Sequence, residues 1–397
     1  MPPSDSFGVY IHVPWCSRRC GYCDFYAGVT RDPEVLRLGG ERLRADLARQ
    51  LASPAWSEGA IHSVYLGGGT PSLLPPEFFR QLLGPGPLAE RLLPGAEITV
   101  ELNPEHITDE LAGSLVAAGI TRASLGAQSA DPGALAFLDR EHDLDDLQRG
   151  LQRLRAAGLT NLSLDLIYQL PGQTATALRR EIAALRALDP PHISAYGLGY
   201  EAGTRLDLRR RQGRVTPLDG DHSARLFRLL SKELRTAGYQ HYEVSSFCRA
   251  GQESRHNRGY WELRDCLAVG PGASAWLNPQ RATILTGQAE PWGLRLNRLP
   301  NLRLFNDAVD AGQPTPAEAD RPDRDAALLE AVYLGLRWRQ GLERRVLVGR
   351  FGALTADGIW ARARLHRRRF QHCNGERLVL RPENWVLLDE LVLSLLG

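Results

Sequence analysis

Gly8-Val9-Tyr10-Ile11-His12-Val13-Pro14-Trp15-Cys16-Ser17-Arg18-Arg19-Cys20-Gly21-Tyr22-Cys23 decides the fold. It begins as a short β-rich run, 8–13, and turns at Pro14 into a loop that carries three cysteines. Outward from it the same order recurs: β-rich run, unusual loop, helical pattern. Further strands are predicted at 63–66, 97–101, 122–126, 162–167 and 193–198, and helices at 34–51, 76–93, 108–118, 144–157 and 174–188. Such alternation implies parallel strands joined by helical crossovers, in an open sheet or an incomplete α/β barrel. The loops after the runs hold the chemistry: Cys16–Cys23, Gly67-Gly68-Gly69-Thr70-Pro71, Asn103-Pro104, Gln128-Ser129 and Gln169-Leu170-Pro171-Gly172-Gln173. All fall at the carboxyl ends of strands, where barrels and open α/β sheets build their sites. Turn-making alone explains one or two such loops, but not the cysteines, Glu101 and Gln128 converging on one rim.

The 397 residues carry a formal net charge of +2 and 24% charged residues, which excludes wholesale disorder and argues against a chain that works by coating polyanions. Nearly all basic charge is arginine, since Lys232 is the single lysine. No apolar run approaches the ~20 residues of a bilayer span, and the polar N-terminus lacks a signal-peptide layout. The expectation is a cytoplasmic protein without a transmembrane segment. Cys16, Cys20 and Cys23 are clustered while Cys248, Cys266 and Cys373 are scattered, which reads as a metal site rather than a disulfide scaffold. The scattered three read as small buried residues.

Three thiolates on one loop leave two readings open. A tetrahedral zinc needs a fourth ligand, and His12 can supply it. A 4Fe–4S cluster held by three cysteines instead leaves one iron free to take the amino and carboxylate groups of a small molecule.

The C-x3-C-x2-C spacing, with Tyr22 before the last cysteine, resembles the cluster loop of radical S-adenosylmethionine (SAM) enzymes. The remaining loops follow in that superfamily's order. The likeness continues through 10–16, 23–26, 124–129, 138–142, 165–174, 242–245 and 256–261, and resembles oxygen-independent coproporphyrinogen III oxidase-like proteins. Within that group, the true coproporphyrinogen dehydrogenases carry another cysteine two residues after the third, where this chain has Phe25. They also usually have a longer N-terminal extension. Both departures point to the HemW-type haem chaperones. Ala127 and Gln169 replace an expected Val and Gly, beside the contacting positions.

The resemblance implies an incomplete, partial TIM-type radical SAM barrel with a small, mostly α, winged-helix-like C-terminal domain. It implies a 4Fe–4S cluster on Cys16, Cys20 and Cys23, and SAM contacts from Tyr10, Tyr22, Gly68, Gly69, Thr70, Glu101, Gln128, Arg140 and Asp165. A guanidinium fork at Arg140 suits the SAM carboxylate, and Asp165 a ribose hydroxyl. His256-Asn257-Arg258-Gly259-Tyr260-Trp261 resembles the HNxxYW segment linked to haem; an imidazole can ligate iron, and Tyr260 and Trp261 can flank a macrocycle. The expected function is to bind haem and deliver it to acceptor proteins, with oxidative decarboxylation of coproporphyrinogen III as the enzymatic alternative and no catalytic residue assigned. The expected organisation is a radical SAM core over 1–240, an extension with the HNxxYW segment and a linker over 241–322, and a C-terminal domain over 323–397. The arginine-rich stretch 362–370 raises a nucleic-acid alternative, but a solvated basic face accounts for it and no nucleic-acid partner is expected. A membrane-associated haem acceptor is compatible with the sequence.

Overall fold

A computed structural model describes Pro3 and residues 5–397. Its centre is a twelve-stranded mixed sheet. In chain order the strands are β1 (Phe7–Val13), β2 (Ile61–Gly68), β3 (Leu92–Leu102), β4 (Arg122–Gln128), β5 (Leu162–Tyr168), β6 (His192–Gly197), β7 (Gln240–Glu243), β8 (Ser246–Cys248), β9 (Cys266–Val269), β10 (Ser274–Leu277), β11 (Leu294–Arg298) and β12 (Ala317–Asp320). Their spatial order is β12-β11-β10-β9-β1-β2-β3-β4-β5-β6-β8-β7. The stretch from β9 through β6 is parallel, and both flanks are antiparallel. The sheet curls without closing, as expected of an incomplete barrel.

Helices Pro33–Leu51, Asp109–Ala117, Leu144–Ala156 and Ala175–Ala187 cover the convex side, each started by a side-chain cap from Asp32, Thr108, Asp143 or Thr174. Their apolar faces bury Leu43, Leu47, Leu115, Leu151, Leu154, Ile182 and Leu185 against outward strand residues such as Val9, Ile11, Val64, Val100, Leu125 and Leu164. The predicted helix 76–93 ends at Leu83, because Gly84, Gly86 and Pro87 interrupt it.

The concave face is polar. Ser63 meets His256, Tyr65 meets Glu101, Ser124 meets Asp165, and Ser163 meets His192. Alternation along each strand sends these side chains inward and the aliphatic ones outward. The floor is closed by helix Arg255–Trp261. Its first N–H groups, of Arg255 and His256, donate to the buried carboxylate of Glu97 at 3.0 and 2.9 Å.

Two expectations change. The segment 241–322, expected to include a linker, carries strands instead in its latter part: β11 and β12 extend the main sheet through it. Strand β9, unanticipated, pairs in parallel with β1 on the side away from β2. Beyond it, helices Arg324–Leu336, Arg344–Phe351, Ala353–Leu365 and Leu388–Leu396 pack with a three-stranded sheet of Leu342–Glu343, Arg377–Leu380 and Phe370–Cys373, which fits the winged-helix-like description.

Candidate functional site

The loop after β1 is held against the loop after β2 by main-chain bonds. Gly69 N donates to Val13 O at 2.8 Å and Thr70 N to Trp15 O at 2.7 Å. Glycine is required for this approach: a Cβ on Gly69 would lie 2.5 Å from Trp15 O, and one on Gly68 2.5 Å from the His12 ring. Gly68 also has φ +103°, a conformation that side chains with a Cβ resist. The loop is therefore a bare backbone cradle beside the cysteines.

Cys16, Cys20 and Cys23 are partly exposed free thiols. Burial pushes Cys23 up to about 11, and the neighbouring charges of Cys20 and Cys16 push it further in the same direction. All three lie within the one loop that follows β1. His12 does not complete a zinc site: Nδ1 bonds Tyr10 Oη at 3.1 Å and Nε2 bonds Tyr26 O at 2.7 Å. Both ring nitrogens are spent on the loop's own architecture. Among the described residues, no three His, Cys, Asp or Glu side chains converge on a single-ion site. A three-thiolate donor set with no fourth protein ligand suits a cluster with one open iron better than it suits zinc.

Arg140 ties the cysteine loop to the next two strands. Nη1 lies 3.8 Å from Cys20 Sγ, and Nη2 donates to Asn103 Oδ1 at 2.9 Å and Gly126 O at 3.2 Å. Glu101, at the end of β3, accepts from Tyr65 Oη at 2.7 Å and Gly68 N at 3.1 Å. Burial lifts its carboxyl to about 7; the Tyr65 bond opposes this and the charge of Asp165 adds to it. Asp165 is raised by burial as well, and accepts from Ser124 Oγ at 3.0 Å. Tyr22 faces the same space: burial raises its phenol, and the nearby Arg140 guanidinium opposes the rise. Gln128 sits with φ +60° beside Gly126, whose absent Cβ leaves room for the Gln128 amide. Tyr10 stands in the barrel with its ring 6.1 Å from that of Tyr65. The residues expected around cluster and SAM thus share one rim. Tyr65 and Ser124, which hold Glu101 and Asp165, were not singled out in the sequence, though strand alternation from Glu101 and Asp165 is the signal that would have found them; Asn103, which holds Arg140, lies in the Asn103-Pro104 loop that was.

His256 behaves differently. It is buried, with Nδ1 bonded to Ser63 Oγ and Nε2 to Tyr260 Oη, both at 2.9 Å. Burial lowers it to about 3, with the neighbouring His62 acting in the same direction. As folded, both ring nitrogens of the histidine expected to face haem are taken by neighbours in the barrel floor. Trp261 carries the Arg337 guanidinium 3.7 Å from its ring centroid, so that face is already covered. Tyr260 alone of the three lines a cavity. Cys248 and Cys266 are buried as expected, whereas Cys373 is partly exposed.

The Radical SAM superfamily model matches residues 10–184. The heme chaperone HemW of Mycobacterium tuberculosis is 38% identical over all of this chain and 96% of its own length. The chain belongs to the HemW family. The HemW of Synechocystis is 32% identical over 84% of the chain and 78% of its own length. The mitochondrial radical S-adenosyl methionine domain-containing protein 1 of Bos taurus is 31% identical over all of the chain and 88% of its own length. In fold the chain is similar to coproporphyrinogen III oxidase (HemN) from Escherichia coli, with TM-score 0.77 and 19% identity over 98% of this chain and 90% of that one. Membership of the HemW family thus coexists with a HemN-like architecture.

Proposed function

We propose that this chain is a haem chaperone: it holds a 4Fe–4S cluster and SAM at the barrel mouth, binds haem, and delivers it to acceptor proteins. Similarity to HemW over the full chain carries the reading. Phe25, in place of a further cysteine, supports it over coproporphyrinogen oxidation. The residues at the mouth fit both resident groups. Three clustered thiols without a fourth ligand suit a site-open cluster, and a glycine cradle beside a buried carboxylate suits the methionyl end of SAM.

Cys16, Cys20 and Cys23 would hold the cluster. Gly68, Gly69 and Thr70 would offer backbone groups to SAM, with Glu101 accepting from its ammonium and Arg140 pairing with its carboxylate. Asp165 would accept from a ribose hydroxyl, and Tyr10, Tyr22 and Gln128 would close the walls. When bound, the cluster supplies an electron to SAM. The protein's part is to orient the two and exclude water. Tyr65 and Ser124 donate to the two carboxylates and fix their direction. The acceptor proteins take haem in the cytoplasm, and a membrane-associated acceptor is compatible with the absence, among the described residues, of any helix long and apolar enough to cross a membrane.

The test is anaerobic, with reconstituted full-length protein. Haem should bind near one equivalent and pass to an apo-haem protein, while coproporphyrinogen III added with SAM and a reductant should persist. Stoichiometric decarboxylation of coproporphyrinogen would overturn the reading.

A further inference from the structure

A cavity of about 650 Å³ opens between the end of the cysteine loop and strands β10 and β11. It borders the SAM-side rim, since Tyr10 and His12 form part of its wall. The volume lies inside the ~300–1,000 Å³ range of small-molecule and cofactor sites. Its aromatic walls are Phe25, Tyr260 and Trp276, and three arginines, Arg264, Arg295 and Arg298, line it as well.

Three features point to an occupant. Phe25 is 58% exposed, an unusual state for a large apolar ring, and its exposed position is on this cavity. Trp276 Nε1 and Arg298 Nε are both buried without a hydrogen-bond partner. The Arg295 guanidinium stacks 5.4 Å from the Trp276 ring centroid, in the rigid geometry that pairs well with carboxylates. Two carboxylates, Asp24 and Glu330, also line the space; Arg295 is paired with Glu330 and Asp320 and Arg264 with Glu262, whereas Arg298 is held by uncharged groups, Thr315 O and Gln50 Oε1. A flat apolar ring edged by carboxylates matches this arrangement: aromatic faces for the ring, guanidiniums for the acids.

We infer that this cavity is the seat of the haem, with the macrocycle between Phe25 and Trp276 and its propionates toward Arg264, Arg295 and Arg298. The inference rests on the haem-chaperone reading and names where that cargo sits. It separates the haem from His256, which lies behind Tyr260 in the barrel floor. The His12 ring, also in the wall, has both nitrogens committed. The phenol oxygens of Tyr10, Tyr26 and Tyr260 are likewise bonded, to His12 Nδ1, Leu302 N and His256 Nε2, so the lining is a set of walls for the ring rather than a source of a free ligand for the iron. It also places the haem directly against the chain that follows Cys23, so Phe25, the residue that sets this chain apart from the oxidase pattern, is a wall of the site.

The test is titration of the reconstituted full-length protein with ferric haem, read by the haem absorption band, alongside iron–sulfur content and SAM binding. Phe25→Ala removes an exposed wall. Ser274→Trp fills the space from β10, where the serine is exposed and bonded only to Asn297 Oδ1 at 2.7 Å. Each should weaken haem binding at least about tenfold, the equivalent of a lost aromatic contact and its area, with cluster and SAM unchanged. Wild-type affinity in both variants would overturn the cavity assignment while leaving the chaperone reading intact. Failure of the wild-type protein to bind haem would overturn the chaperone reading itself.

Discussion

Arg140 Nη1 lies 3.8 Å from Cys20 Sγ, although 120 positions separate the two residues. The same guanidinium reaches Asn103 and Gly126, so one side chain fixes the cysteine loop to the ends of β3 and β4. Arg140→Lys keeps the charge but cannot span three partners at once. SAM affinity should fall about tenfold or more, with the urea midpoint lowered by the loss of about 1.5–3 kcal/mol of charged hydrogen bonding. Equilibrium dialysis and a denaturation curve measure the two effects; unchanged SAM affinity would remove Arg140 from the binding set.

In the proposed arrangement the cluster would take its protein ligands from Cys16, Cys20 and Cys23. Cys16→Ala, Cys20→Ala and Cys23→Ala should each abolish the broad absorption of the reconstituted protein near ~400 nm. Cys248→Ala should retain it, because Cys248 is buried in β8 and pairs into the sheet flank rather than facing the loop. Iron and sulfide analysis decides the point.

Glu101 gives a pH signature. Its folded carboxyl stands at about 7, against ~4.3 for an exposed glutamate. Between those values the folded chain retains a proton that the unfolded chain has lost, so stability falls as pH rises. The stabilisation is complete below the unfolded value and is gone once pH passes the folded one. Glu101→Gln should flatten that slope in the ligand-free protein, leaving the contribution of Asp165, whose shift has the same sign. Because the ionised carboxylate is the form that attracts an ammonium, wild-type SAM affinity should rise through pH 7 and the variant's should not. Isothermal titration on both sides of that window checks it.

His256 is expected to matter for folding rather than for ligation. His256→Ala would strand Ser63 and Tyr260 Oη in the barrel floor and leave a cavity, at a cost of about 2–4 kcal/mol. The haem band of the protein that does fold should keep its position, since neither ring nitrogen is free. A shifted band in a stably folded variant would return the ligand to this histidine.

Much of this was legible beforehand. The cysteine loop, the glycine run and Glu101 were readable because their chemistry is local: each sits just past a β-rich run, and strand polarity puts all of them on one rim. Arg140 and Asp165 were found through the resemblance; of their supports, Asn103 stood in a loop already picked out, while the part it plays was not legible. Tyr65, Ser124 and Asn103 act across strands, and only the register that sets Glu101 opposite Ser124 brings them into place. His256 misled for a related reason. An imidazole beside two aromatics reads as a ligand in one dimension, whereas helix Arg255–Trp261 turns it into the barrel, where Ser63 and Tyr260 take both nitrogens. The latter part of 241–322 read as linker because its Pro, Gly and Asp residues mask two short strands, β11, which pairs with β10, and β12, which pairs with β11.

The pairing of β1 with β9 bears on how the protein is made. Strand β1, which launches the cysteine loop, emerges first from the ribosome, whereas the neighbour that seals its outer side is translated only in the last third of the chain. Until then β1 is a bare edge, with unpaired main-chain groups and a thiol-rich loop at its end. A nascent chain halted before Cys266 would carry both liabilities at once, prone to pairing with other chains and to losing its thiols to oxidation. Cluster installation is therefore best placed after the chain is complete, when the edge has closed and the loop has its permanent wall.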